Sequence, residues 1–327
     1  MRVLVTGASG LLGRAVAAEF RNSGHEVIGV AFSRAGSGLK KLDLEDSEGV
    51  TAFVDQEMPD VVVHCAAERR PDAVEANPDK AQNLNVQVPR LLADLTNDRG
   101  ILLIYISTDY VFDGTTPPYD VRDKANPLNT YGQSKYDGEL GVKALNSSAI
   151  ILRVPILYGP TLYNGESAVN ALIDSVKEAK SSMDHYAIRY PTNGNQNAHE
   201  RCPQSMHIDT DAQFMYINHA IYIVADVARV IKDLSIKVRE EKVFISGVLH
   251  FSADEKYTKY EMCQVVAEAL GASVDHLKPV STAPTDAVTT RPYNCQLTNR
   301  CLIGIGIDTH CVKLSEWMQV WLRKDQE

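Results

Sequence analysis

The chain has no run approaching ~20 uninterrupted apolar residues, the length a bilayer requires, so a membrane-spanning role is not expected. Basic residues never run beyond pairs, and 42 acids outnumber 33 bases. Binding a phosphate backbone needs a concentrated basic patch, which excludes nucleic acid as the expected partner. The six cysteines, Cys65, Cys202, Cys263, Cys295, Cys301 and Cys311, form no C-x-x-C pair. That spacing suits buried thiols of a reducing compartment better than disulfides or zinc, and no metal is expected. A charged, apolar, cleavable leader is also missing, since "MRVLVTGASG" runs straight into a strand. A cytoplasmic location is the expectation.

What is present is an ordinary soluble composition. With 327 residues and 44% hydrophobic, the chain is long enough for one large α/β unit or a domain with a smaller lobe. "RVLVTGASGLLGRAVAAEFRNSGHEVIGVAF" reads as a β-branched strand, a glycine turn, an amphipathic helix and a second strand, which is one βαβ unit. Gly7, Gly10 and Gly13 give G-x-x-G-x-x-G. The first two let the backbone turn against a pyrophosphate, and the third lets helix pack on strand. The amides of Ser9 to Leu12, through Gly10 and Leu11, then stand at a helix N-terminus suited to an anion.

An NAD site usually ends its second strand with an acid for the ribose hydroxyls, whereas this chain offers Phe32, Ser33 and Arg34. A missing acid and a present base both favour the 2′-phosphate of NADP(H). Asp43 and Leu44 follow at a third strand end, and the buried run "DVVVHCAA" leads to Arg69 and Arg70, placed to meet phosphate or to pair with Asp72 and Glu75. Further on, "ILLIYISTDYVFDG" is a strand ending in Ser107 and Thr108, and "NPLNTYGQSKYDGELGV" opens a helix after Pro127. Tyr131 and Lys135 at i and i+4 share one face of it. In a hydride-transfer site Lys135 would hold the nicotinamide ribose and lower the phenol's pKa, letting Tyr131 pass a proton to a carbonyl oxygen steadied by Thr108.

The glycine turn, "HCAA", "STDYVFDG", "YGQSK" and "ILRVPILYG" stand in the order of the extended short-chain dehydrogenase/reductases, which the first 160 residues resemble. "STDYVFDG…NPLNTYGQSK" resembles the dTDP-4-dehydrorhamnose reductase branch. Along nearly the whole chain, "GLLGRAV", "VHCAAERRPDAVEANPD", "ESAV", "MDH", "TKYEM" and "HLKPV" are similar to the family of regulatory (beta) subunits of methionine adenosyltransferase. This resemblance implies a Rossmann-type doubly wound parallel sheet with a smaller C-terminal substrate-type lobe. It further implies bound NADP(H) and a catalytic methionine adenosyltransferase subunit as partner, with S-adenosylmethionine synthesis as the process modulated. Carried over, the cofactor contacts are Ser9 to Leu12, Phe32 to Arg34, Asp43, Leu44, Cys65, Arg69, Tyr131, Lys135 and Leu157. Sugar reductases of the branch carry a tryptophan where "RVPILYG" has Ile156. A 4-keto nucleotide-deoxysugar reductase using Thr108, Tyr131 and Lys135 stands as the alternative. An epimerase or dehydratase would need a further acid-base pair, for which Asp109 is one half.

The expected boundary falls near residue 160: residues 1–160 form the NADP-binding unit, with returning segments near 224–234 and 247–253, and 161–327 the lobe. "TKYEMCQVVAEALG" reads as a helix closed by Gly271, and Trp317 and Trp321 share a helical stripe expected to pack in a core. Residues 194–223 fit nothing around them and look like an insertion. Its His199, Cys202, His207 and His219 match no standard zinc spacing.

Overall fold

A run of β-branched residues between turns makes a buried parallel strand. The chain repeats that pattern, as in Val61–His64, whose four side chains are all buried. The computed structural model describes residues 1–36, 38–178, 180–193, 226–283 and 288–323. The 194–223 stretch and its histidines and cysteine lie outside them.

The first elements are β1 (Arg2–Thr6), α1 (Leu11–Asn22), β2 (Glu26–Ala31), β3 (Lys40–Lys41), α2 (Ser47–Glu57) and β4 (Val61–His64). Then come α3 (Pro71–Ala76), α4 (Pro78–Gln82), a π turn at Asn83–Gln87, α5 (Val88–Asp98), β5 (Leu102–Thr108), α6 (Thr130–Leu145) and β6 (Ile150–Val154). The remainder is β7 (Leu157–Tyr158), α7 (Ala171–Lys177), β8 (Ser182–Asp184), β9 (Thr192–Asn193), α8 (Asp226–Arg239), β10 (Gly247–His250), α9 (Lys259–Leu270), β11 (Lys278–Val280), α10 (Arg300–Gly304) and α11 (Leu314–Arg323).

Seven strands form one sheet in the order β10-β6-β5-β4-β1-β2-β3. Every pairing in it is parallel. The chain runs outward from β1 to β3, returns beside β1 as β4, and continues to the other edge. This is a doubly wound Rossmann-type sheet whose order reverses between β1 and β4, where such folds hold their ligands beyond the carboxyl ends of the strands. One face packs α1 and α8 through Val16, Phe20, Val227, Ile231 and Leu234. The opposite face packs α2, α5 and α6 through Val50, Val54, Leu92 and Val142.

A separate core joins α7, α9 and α11, with Leu172, Ile173, Met262, Val266, Leu314, Trp317 and Met318 buried together. Trp317 stacks on Trp321 at 5.3 Å and meets Tyr158 edge-on at 5.1 Å. Helix α9 starts in a reciprocal box between Thr258 and Glu261 and ends on Gly271 in the left-handed region. Among the described residues Cys65, Cys263, Cys295, Cys301 and Cys311 are free thiols, and no helix is long and apolar enough to cross a membrane.

Candidate functional site

The turn after β1 is built by close approach. Gly7 has φ +64°, and a Cβ there would stand 2.8 Å from the Ala66 nitrogen. A Cβ on Gly13 would lie 2.2 Å from the Gly7 carbonyl oxygen. Both contacts are with backbone, so no side chain can be moved aside to make room, and α1 is drawn tight against β1.

Above that turn opens a cavity of about 720 Å³ that runs across the carboxyl ends of the sheet. Gly7, Ser9, Gly10, Leu11, Leu12 and Gly13 form its floor after β1. Phe32, Ser33 and Arg34 stand beyond β2, and Asp43 and Leu44 beyond β3. Cys65 and Arg69 follow β4, Thr108 ends β5, and Leu157 with Ile156 follows β6. Tyr131 and Lys135 reach the same cavity from α6. The residues proposed from the sequence are thus brought to one cavity. Arg70 is not on its wall. Asp72, considered as a partner for Arg69 or Arg70, instead takes Arg291 at 2.8 and 3.0 Å.

Helix α6 is held along its first turns. Asn129 caps it by accepting from the Gly132 amide at 2.8 Å. The buried Asn85, in the π turn, donates to the Glu68 carbonyl at 3.0 Å and to the Ser134 hydroxyl at 3.1 Å, which ties the loop after β4 to the helix. Behind Lys135 lies a buried ion pair in which Arg153 grips Glu139 at 2.8 and 2.6 Å. Ser107 donates to the same carboxylate at 2.6 Å. Removing one member of such a pair costs about 3–5 kcal/mol, because the other charge stays buried.

The electrostatics of the catalytic-type residues depart from the expected pattern. Burial lowers Lys135 to about 7, with Glu139 pulling the other way, and its ammonium sits 4.1 Å from the centre of the Tyr105 ring. Burial drives the Tyr131 phenol well above its ordinary value, while a hydrogen bond with Thr108 works against the rise. Asp109 and Tyr110 add to the rise and Arg69 opposes it, so desolvation and the neighbouring acids together set the direction in this geometry. Asp109, next to Thr108, is raised by burial to about 7, with Arg189 opposing.

Several residues at the site were not singled out from the sequence. Arg189, Lys259 and Arg291 line the far end near Tyr131. Arg189 is 4% exposed, and its Nη2 is buried with no hydrogen-bond partner among the described residues. Burial lowers Lys259, with Arg291 and Arg189 adding to the effect. At the opposite end Glu166 is buried and held by Arg14 through both oxygens at 2.8 and 2.7 Å. These residues come from separate stretches of chain, so spacing carries no signal of their meeting; "ESAV" alone marked the place of Glu166.

The family model described as RmlD substrate binding domain matches residues 1–208 and 223–318, leaving out a stretch inside 194–223. Methionine adenosyltransferase 2 subunit beta of Rattus norvegicus is 41% identical over 308 residues, covering 94% of this chain and 83% of that protein. A probable low-salt glycan biosynthesis reductase of Haloferax volcanii is 40% identical over 163 residues, covering 49% of this chain and 54% of that protein. Among solved structures, a dTDP-4-dehydrorhamnose reductase from Clostridium acetobutylicum superposes with a TM-score of 0.77 at 26% identity, over 100% of both chains. The Bacillus anthracis dTDP-4-dehydrorhamnose reductase, in complex with NADP, gives 0.77 at 26% identity over 99% of both chains.

Proposed function

Because this chain belongs to the RmlD substrate binding domain family, we propose that it is the NADP(H)-binding regulatory (beta) subunit of a cytoplasmic methionine adenosyltransferase, modulating S-adenosylmethionine synthesis. The observation that carries this reading is the likeness to the beta subunits along nearly the whole chain; the likeness to the glycan reductase spans about half of it. The catalytic methionine adenosyltransferase subunit is the partner, in a hetero-oligomer. The boundary near residue 160 separates the dinucleotide unit from a lobe that lies over its open end.

The cofactor assignment is supported by the fit of the cavity. The amides of Ser9 to Leu12 at the start of α1 would hold the pyrophosphate, and Arg34 would meet the 2′-phosphate. Asp43, Leu44 and Phe32 would border the adenosine, while Cys65, Arg69, Leu157, Tyr131 and Lys135 would border the nicotinamide half. The related Bacillus anthracis reductase carries NADP in the same fold.

A second reading, an NADPH-dependent reductase of a 4-keto nucleotide-linked deoxysugar, is favoured by one arrangement: Thr108, Tyr131 and Lys135 share the cavity with the cations Arg189, Lys259 and Arg291. The nicotinamide would supply a hydride to the carbonyl carbon. Tyr131 would give its proton to the oxygen while Thr108 held that oxygen. Two features weigh against it. Ile156 offers neither a stacking plate nor a donor, and a phenol raised by burial is a weak acid.

The deciding experiment is a pull-down of tagged protein from its native cytosol with NADPH present, with co-purifying chains identified by mass spectrometry. A methionine adenosyltransferase recovered in stoichiometric amount is the expected result. Recovery of the protein alone overturns the regulatory reading and moves the search to 4-keto sugar nucleotides.

A further inference from the structure

Arg34 leaves the end of β2 on a stretch, residues 32–36, whose side chains are all exposed. The loop itself therefore gives the guanidinium no fixed direction. Among the described residues the carboxylate that meets it is Glu166, 132 positions away, with Nη1 of Arg34 3.3 Å from Oε1. Glu166 is itself held firmly. Arg14 grips both of its oxygens, the Leu162 amide donates to Oε2 at 3.0 Å, and the side chain is 2% exposed. Its backbone carbonyl accepts from Nη2 of Arg69.

Burial pushes the Glu166 carboxyl up, but the bonds from Arg14 and Leu162, together with Arg34, bring it down to about 2. It is ionised at any working pH. The paired donors of Arg14, Nη1 and Nη2, already balance its charge, so the positive charges of Arg34 and Arg69 remain available on the cavity wall.

We infer that Glu166 is a positioning residue that fixes Arg34 and so sets the site's preference for a dinucleotide carrying a 2′-phosphate over one without it. This rests on the NADP(H) reading above. An arginine free on an exposed loop must give up its rotamer freedom when it clamps a phosphate, whereas one tethered to a buried carboxylate has given it up beforehand. The phosphate then meets a donor fork already in place. A dinucleotide lacking that phosphate gains nothing from Arg34, so the consequence falls on one cofactor and not the other.

The test uses the full chain and follows nicotinamide fluorescence during titration with NADPH and with NADH, for wild type, Glu166→Gln, Glu166→Asp, Arg34→Ala and Glu166→Gln/Arg34→Ala. Glu166→Gln should weaken NADPH about tenfold and NADH by less than about twofold. Glu166→Asp keeps the charge but draws back by one methylene, so it should shift the ratio the same way by less; it carries the test if the glutamine variant fails to fold. In the double variant NADPH should bind no more weakly than to Arg34→Ala, since a contact already lost cannot be lost again. Equal losses for both cofactors, tighter NADPH binding, or a further loss in the Arg34→Ala background each overturn the positioning role. A wild type that binds neither dinucleotide overturns the NADP(H) reading itself. An Arg34→Ala variant with an unchanged NADPH to NADH ratio leaves dinucleotide binding intact and removes Arg34 from the phosphate, and the inference with it.

Discussion

The two ends of the cavity are built by different means. At the glycine turn the shape is set by backbone against backbone, with Gly13 packed on the Gly7 carbonyl, and little about it depends on protonation. At the far end Asp109, Tyr131, Lys135 and Lys259 are all displaced from their ordinary pKa values, with burial the largest cause in each. The first end presents fixed amides to an anion whatever chemistry follows. The second does chemistry only if what fills it sets the charge states. A regulatory subunit needs the second end only as a wall of the cofactor cavity, with no proton transfer there, which is why changes at the two ends should have unlike consequences.

The largest effect is expected at the rigid end. Gly13→Ala places a methyl 2.2 Å from the Gly7 oxygen and 2.8 Å from the Ala8 Cα, so the turn and α1 must separate. A loss of about 3 kcal/mol is expected, read as a fall in melting temperature of about 4 °C for a chain of this length, together with loss of NADPH binding in the same titration. A variant that melts and binds like wild type would break the account of this end as a backbone cradle.

The next effect belongs to the far end and depends on pH. Asp109 is raised from 3.8 to about 7, so the folded chain holds a proton that the unfolded chain has already released. Stability is therefore lost as pH rises from about 4 to about 7, because the charged form is the one burial penalises. Asp109→Asn removes that dependence. Thermal melts should show the variant more stable than wild type at pH 8, on the order of 2 kcal/mol, and without that advantage at pH 4. A constant difference across pH would mean that the Asp109 carboxyl is not the titrating group.

The sequence exposes what is local. The β1-turn-α1 unit follows from β-branched residues and glycine spacing, the end of α9 from Gly271, and the burial of Trp317 from the helical stripe it shares with Trp321. Tyr131 and Lys135 are readable as a pair because a helix brings i and i+4 together. The Arg14 to Glu166 pair, 152 positions apart, is invisible for the opposite reason, since no periodicity connects a helix start to the segment between β7 and α7. The same holds for Arg189, Lys259 and Arg291. The short ladders β7-β9 and β8-β11 involve two or three residues each, too few for an alternation to register. The burial that raises the Tyr131 phenol is equally hidden, because the motif supplies the neighbouring charge but not the depth of burial.

The smallest expected effect is the one that tests the comparison most sharply. Tyr131→Phe keeps the ring that meets Tyr110 edge-on at 6.0 Å and removes only the hydroxyl. If the far end is a wall of the cofactor cavity, one hydrogen bond is at stake, so NADPH affinity should stay within about threefold and stability within about 1 kcal/mol. Stimulation of the purified methionine adenosyltransferase should be unchanged, because no proton from Tyr131 takes part in it. If the far end is a working active site, the same substitution removes the proton donor and its cellular function falls while the complex survives intact. Since the fold, cofactor binding and assembly are held constant between these outcomes, the difference reads the proton alone. That makes the loss of one oxygen atom a cleaner separation of binding from chemistry than any larger change at either end.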